Sequence, residues 1–269
     1  MPSFLISEDF YSVQCEGIST GYPAYFVRLS NCNLYCGSSP KQISDIRKEP
    51  NITPGEFRGD QHAEGKATWT CDTIPVWVKG VEKDFQYLID RWKEQEIYDD
   101  VKNGLIHIIW TGGEPTLPKH QESIIAFHNW WKELDNTITP YYEIETNGTL
   151  AIKPELLMLL NQINCSPKLE NSGNPKMLRY NVKALERIME HNNYQFKFVI
   201  SEESDLKEIY DDYINKLQIP LNKVVCMPGL DDQNNFHERT RFVLEMAKKY
   251  KFIGLTRLHI SAWDKTTGV

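Results

Sequence analysis

Three cysteines carry the first chemical signal. Cys32 and Cys36 stand in the run Cys32-Asn-Leu-Tyr-Cys36, directly after an apolar stretch, and Cys71 closes a long polar segment. Thiolates are soft anionic ligands, so three of them gathered at one place suit an iron–sulfur cluster. A C-x3-C pair equally fits zinc, with His62 as a fourth ligand in a Cys3His site. On the cysteines alone both readings stay open. A cluster with three protein ligands leaves one iron free to chelate another molecule. The second signal is Trp110-Thr-Gly-Gly-Glu-Pro115, again at the end of an apolar run. Gly112 and Gly113 let a ligand approach the backbone, and Glu114 can accept from an ammonium group. An amino-acid-like ligand beside the metal is the expectation.

The elements that must position these groups alternate along the chain. Strands are expected at Ala24–Leu29, Leu105–Trp110, Tyr141–Glu145, a short run into Ser166, Gln195–Ile200, Lys223–Met227 and Thr256–Ile260. Helices are expected at Glu82–Gln95, Glu122–Leu134, Pro154–Asn161, Pro175–Glu190, Asp205–Leu217 and Phe236–Tyr250. Such alternation implies βαβ units, a parallel sheet, and sites at the carboxyl ends of its strands. The motifs fall there. Gly37–Thr70 breaks the pattern with Pro40, Pro50, Pro54, Gly55, Gly59 and Gly65 among many charges. It reads as an insertion with one short helix near Gln42–Lys48, expected to fold over the metal or extend an interface.

The chain has 269 residues and reads as one domain, 1–269, with 37–70 inserted in its metal-binding loop. Thirty basic against 37 acidic residues give a net charge of −7, which argues against a protein that coats nucleic acid. Apolar content of 41% excludes global disorder. No basic segment followed by an apolar one opens the sequence, and no apolar run reaches membrane-spanning length. A cytoplasmic location is expected, where cysteines serve metals or catalysis rather than disulfides.

Further motifs join these two. Phe10-Tyr-Ser-Val-Gln-Cys-Glu-Gly17 resembles FYSLQGEG, and Pro23-Ala-Tyr-Phe-Val-Arg28 resembles PAxFVR. Cys71-Asp-Thr73, Glu145-Thr-Asn-Gly-Thr149, Ser166-Pro-Lys168 and Gln195-Phe-Lys-Phe-Val199 match CDT, ETNGT, SPK and QFKFV. The tail, Leu258 to Trp263 and then Gly268-Val269, resembles LHxxxWGxxxGV. Together they resemble the 7-carboxy-7-deazaguanine synthase family of radical S-adenosylmethionine (SAM) enzymes, nearly end to end. Three departures stand out. The spacing C-x3-C-x2-C is opened so that the third cysteine follows the insertion, Cys15 replaces a glycine, and Asp264 and Thr267 replace a glycine and an arginine.

The resemblance implies a partial, open (β/α) barrel and one 4Fe–4S cluster on Cys32, Cys36 and Cys71. It implies SAM held by Gly112, Gly113, Glu114, Glu145, Ser166 and Lys168, with Glu114 and the glycines at the methionine amino group and Glu145 at the ribose. Mg²⁺ is implied on Thr73. The implied substrate is 6-carboxy-5,6,7,8-tetrahydropterin, contracted by a radical rearrangement to 7-carboxy-7-deazaguanine with loss of ammonia. Its contacts would be Val13, Gln14, Cys15, Glu16, Arg28, Thr111, His259 and Val269. Gln14 and Glu16 suit the N–H groups of a guanine-like edge and Arg28 a carboxylate. Gln14, Glu16 and Arg28 are evenly spaced, but the strand direction breaks between them, so no shared face is expected. A flavodoxin- or ferredoxin-type electron donor and a homodimer also follow from the resemblance. Rival readings are another radical SAM enzyme, such as an activase or one acting on a related pterin, and a zinc-stabilised binding module.

Overall fold

The computed structural model describes residues 3–48, 52, 57–229, 235–263, 266 and 268. Nine strands form one open sheet: β1 (Ser3–Val13), β2 (Pro23–Leu29), β3 (Val81–Asp84), β4 (His107–Gly112), β5 (Tyr142–Thr146), β6 (Gln162–Cys165), β7 (Tyr194–Ile200), β8 (Val224–Pro228) and β9 (Ile253–Gly254). Their spatial order is β3-β1-β2-β4-β5-β6-β7-β8-β9. From β2 through β9 all neighbours run parallel, while β1 lies antiparallel to both β2 and β3. This is the α/β architecture expected, an unclosed (β/α) sheet extended at one edge by two antiparallel strands.

The two faces of the sheet differ in chemistry. Tyr25, Val27, Leu29, Trp110, Tyr142 and Ile144 point to the face covered by the helices Phe85–Glu94 and Pro118–Leu134, where Trp92, Phe127 and Trp131 complete a buried core. Each such ring removes apolar area worth about 1.5–3 kcal/mol. Alternate residues on the same strands, Arg28, Thr111 and Glu145, point the other way, as does Lys197 on β7. A period of two therefore puts a row of polar groups behind a wall of aromatic ones.

Several boundaries differ from the sequence reading. Asp84 ends β3 and caps the next helix by accepting from the Tyr87 N–H at 3.0 Å, which splits the expected Glu82–Gln95 helix. The expected Pro175–Glu190 helix breaks into Lys176–Arg179 and Val182–Met189, with Asn181 capping the second. The expected strand Thr256–Ile260 is absent. The sheet edge is used by Ile253–Gly254, and the chain then turns into the helix Leu258–Trp263. β1 was not foreseen at all. Among the described residues no helix is long and apolar enough to cross a membrane.

The segment 37–70 is tied down at both ends. The helix Pro40–Lys48 matches the expected short helix, and a second turn spans Asp60–Ala63. Ile43 and Ile46 pack with Ile74, Trp77 and Val78 in a small core that also holds Cys32, Phe57 and Cys71.

Candidate active site

A cavity of about 660 Å³ opens at the carboxyl ends of the parallel strands. Every residue expected at a site lines it except Glu114 and Val269; Val269 lies outside the described residues.

The cysteines form one wall. Cys32 and Cys36 follow β2, and the Cys71 N–H donates to the Cys36 carbonyl at 3.1 Å. All three pack in one apolar cluster with Leu34, Trp69 and Val199. Each sulfur already has a polar neighbour. Asn174 Nδ2 donates to Cys36 Sγ at 3.2 Å, the Leu34 N–H faces Cys32 Sγ at 3.5 Å, and Thr73 Oγ1 stands 3.3 Å from Cys71 Sγ. Burial pushes the Cys36 thiol up to about 11, with Lys168 pulling it back, and burial then Glu114 raise Cys32 further. Such thiols ionise when a metal displaces their protons. Donors to sulfur are what tune a thiolate-bound cluster. Among the described residues no three His, Cys, Asp or Glu side chains converge on a single ion. The donor set fits the cluster.

The glycine pair has a reason beyond ligand access. Gly112 sits at φ +119°, and a Cβ there would lie 2.2 Å from the Leu29 carbonyl oxygen. A Cβ on Gly113 would lie 1.8 Å from the Asn31 oxygen. The two glycines let the end of β4 press against the loop that carries Cys32.

Glu114 departs from its expected place. Its carboxylate turns away from the cavity and accepts from the N–H groups of Thr116 (2.9 Å) and Asn147 (2.7 Å) and from Thr146 Oγ1 (2.7 Å). It is fully buried, and burial raises its pKa against those bonds. These bonds join the ends of β4 and β5. Lys168 keeps its ammonium at the cavity, bonded to Ser166 Oγ at 2.9 Å and near the Trp69 ring.

On the opposite wall the loop after β1 enters the sheet's polar face. Gly17, at φ +82°, leaves no room for a Cβ beside Gln195 Nε2 and Asn164 Oδ1. This brings Gln14, Glu16 and Arg28 to one cavity, where the sequence reading expected no shared face. Gln14 Oε1 accepts from the N–H groups of Cys15 (3.0 Å) and Glu16 (3.2 Å), bracing the loop. Cys15 Sγ faces the Val13 carbonyl at 3.3 Å, and burial pushes its thiol up to about 11. Arg28 Nε stands 3.0 Å from Glu8 Oε2, its cross-strand partner. The tail closes this side: the Leu258 N–H donates to the Cys15 carbonyl at 3.2 Å, and Gly268 lies beside Glu8. His259 lines the cavity, its pKa lowered by burial and then by Arg257.

Two cations escaped the sequence reading. Lys197 reaches Glu16 Oε2 at 3.1 Å and Glu145 Oε1 at 3.5 Å. Arg257 reaches Glu16 Oε1 and Asp72 Oδ2, each at 2.9 Å. Thr111 Oγ1 adds a bond to Glu145 Oε2 at 2.8 Å. Glu16 is nonetheless held well below the usual carboxylate range: burial works to raise it, and Lys197 and then Arg257 overcome that. A lysine in the middle of the apolar run Gln195-Phe-Lys-Phe-Val199 was a usable signal, because lysine is seldom buried unpaired. Arg257 carries no comparable local signal.

No protein-family model matches the sequence. Curated relatives do. A protein of Pyrobaculum aerophilum named 7-carboxy-7-deazaguanine synthase is 26% identical over 99% of this chain and 98% of its own length. One of the same name from Halobacterium salinarum is 24% identical over 98% and 91%. Another, from Bacteroides thetaiotaomicron, is 31% identical over 61% and 60%. Among solved structures, QueE from Escherichia coli superposes with a TM-score of 0.56 at 18% identity, over 96% of this chain and 95% of that one, and so shares the fold.

Proposed function

We infer that this chain, which belongs to the 7-carboxy-7-deazaguanine synthase family of radical SAM enzymes, converts 6-carboxy-5,6,7,8-tetrahydropterin to 7-carboxy-7-deazaguanine with loss of ammonia, in queuosine-type biosynthesis. The observation that carries this reading is the meeting of Cys32, Cys36 and Cys71 with Glu145, Glu16 and Arg28 around one cavity.

Cys32, Cys36 and Cys71 hold a 4Fe–4S cluster. When bound, it supplies the electron that cleaves SAM and so starts radical chemistry. With Glu114 turned inward, the backbone of Gly112 and Gly113 is left for the methionine amino group. Ser166 and Lys168 take the other polar groups of SAM, and Glu145 takes the ribose hydroxyls. Glu16, kept ionised by Lys197 and Arg257, accepts from the N–H edge of the pterin. Gln14 commits its oxygen to the loop and donates one amide N–H to Glu145 Oε1 at 3.4 Å, which leaves the second N–H for an acceptor atom beside that edge. Arg28 keeps the far end of its guanidinium for the substrate carboxylate, and Val13, Cys15, Thr111 and His259 surround the ring. Thr73 would offer its hydroxyl oxygen to Mg²⁺, a cation that prefers oxygen donors. Leu34, Phe26 and Trp69 keep water from the reacting atoms.

The chain works as one domain with 37–70 as an insertion, in the cytoplasm, as a homodimer reduced by a flavodoxin- or ferredoxin-type carrier. Anaerobic reconstitution with iron and sulfide, then incubation with the tetrahydropterin, SAM and a reductant, tests the reading. Mass spectrometry should find the carboxy-deazaguanine and ammonia; their absence in cluster-replete enzyme would end the specific claim.

A further inference from the structure

Five charged side chains run across the cavity in an unbroken line: Glu145, Lys197, Glu16, Arg257 and Asp72. Lys197 is its hinge. Its side chain is 3% exposed, and its ammonium reaches two carboxylates that belong to different parts of the fold. Glu145 lies next to the last residue of β5, whereas Glu16 sits in the loop after β1. Resting on the reading above, those carboxylates face different ligands, the ribose of SAM and the ring edge of the pterin.

We propose that Lys197 is a positioning residue that couples SAM binding to pterin binding. An ammonium is a compact charge with three donors, so one can serve both carboxylates at once. Each carboxylate keeps lone pairs for a ligand. A ligand that hydrogen-bonds to Glu145 fixes that side chain, and through Lys197 it fixes Glu16. The second ligand then meets a carboxylate already ordered and loses less conformational freedom on binding. Linkage makes the effect reciprocal: pterin must tighten SAM by the same factor. Arg257 ties the far end of the line to Asp72, beside the third cysteine.

The test is equilibrium binding to reconstituted, cluster-replete enzyme under anaerobic conditions without reductant, so that no turnover occurs. Pterin affinity is measured with and without saturating SAM, and SAM affinity with and without pterin. Wild type should show about tenfold mutual tightening, within the usual range of coupling between sites. Lys197→Met, similar in length but uncharged, should reduce the factor to near one, and Lys197→Arg should restore most of it. A merely structural lysine would weaken both affinities and leave their ratio alone. If the lone methionine leaves two buried carboxylates repelling enough to prevent folding, the pair Glu145→Gln and Lys197→Met with Glu145→Gln gives the same comparison. An undiminished factor in the methionine variants would overturn the coupling role alone. Failure of wild type to bind either ligand would overturn the parent reading and the coupling with it.

Discussion

The backbone N–H of Cys71 donates to the carbonyl of Cys36 at 3.1 Å, so the two residues that flank segment 37–70 touch. The bond is between main-chain atoms and survives any side-chain change. Cys71→Ala is therefore expected to fold as wild type does while losing one of the three proposed cluster ligands. Reconstituted protein should show iron and sulfide near background and an unchanged far-UV spectrum. Full iron loading of the variant would remove Cys71 from the ligand set.

Glu114 is expected to matter for stability before it matters for SAM. In Glu114→Gln one accepting oxygen becomes a donor, facing either the Asn147 N–H or the Thr116 and Thr146 groups. Each buried bond lost costs about 1–3 kcal/mol. Urea midpoints of the cluster-free protein should fall accordingly, and an unshifted midpoint would refute the assignment.

Gly113→Ala tests the contact between β4 and the cysteine loop. With a Cβ 1.8 Å from the Asn31 oxygen, the backbone from Asn31 to Cys32 must move. The expected outcome is a protein that retains most of its helix content but loads cluster poorly. Normal loading would mean that the loop yields without displacing Cys32.

Stability should fall on acidification in two stages. His120 is buried with Nε2 against the Ser30 carbonyl at 2.7 Å, and burial lowers its pKa below the ordinary 6.5. The unfolded chain then takes up the proton first, so stability is full above about 6.5 and declines as pH drops below it. Glu16 likewise has a lowered folded pKa, and its contribution disappears as pH falls below the ordinary 4.5. Thermal melts of cluster-free protein from pH 8 down to about 2.5 check both stages. His120→Gln should shrink the first, which His128 and His259, also lowered by burial, share, and leave the second.

Residues 42–65 can be removed while all three cysteines remain. Ile43, Ile46 and Phe57 cover Cys32 and Cys71 in the small core, so the trimmed enzyme should lose its visible cluster absorption in air faster than wild type. Equal bleaching rates would make the segment a surface decoration.

Much of this molecule is written in local chemistry. Alternating apolar runs yield the parallel sheet, because hydrogen-bonding periodicity is read over a few residues, and helix Phe236–Tyr250 falls where its pattern placed it. The cysteines, TGGEP, ETNGT and SPK announce the reaction class because each is a contiguous piece of binding chemistry. Tertiary structure alone decided which groups touch. Glu114 turns inward because the end of β5 offers it two donors, Thr146 Oγ1 and the Asn147 N–H, beside the nearby Thr116 N–H, and no run of sequence around it shows the β5 pair. Lys197 and Arg257 meet Glu16 across 181 and 241 residues. Buried charges settle only where register and loop path bring a counter-charge within about 3 Å, and that depends on the whole sheet.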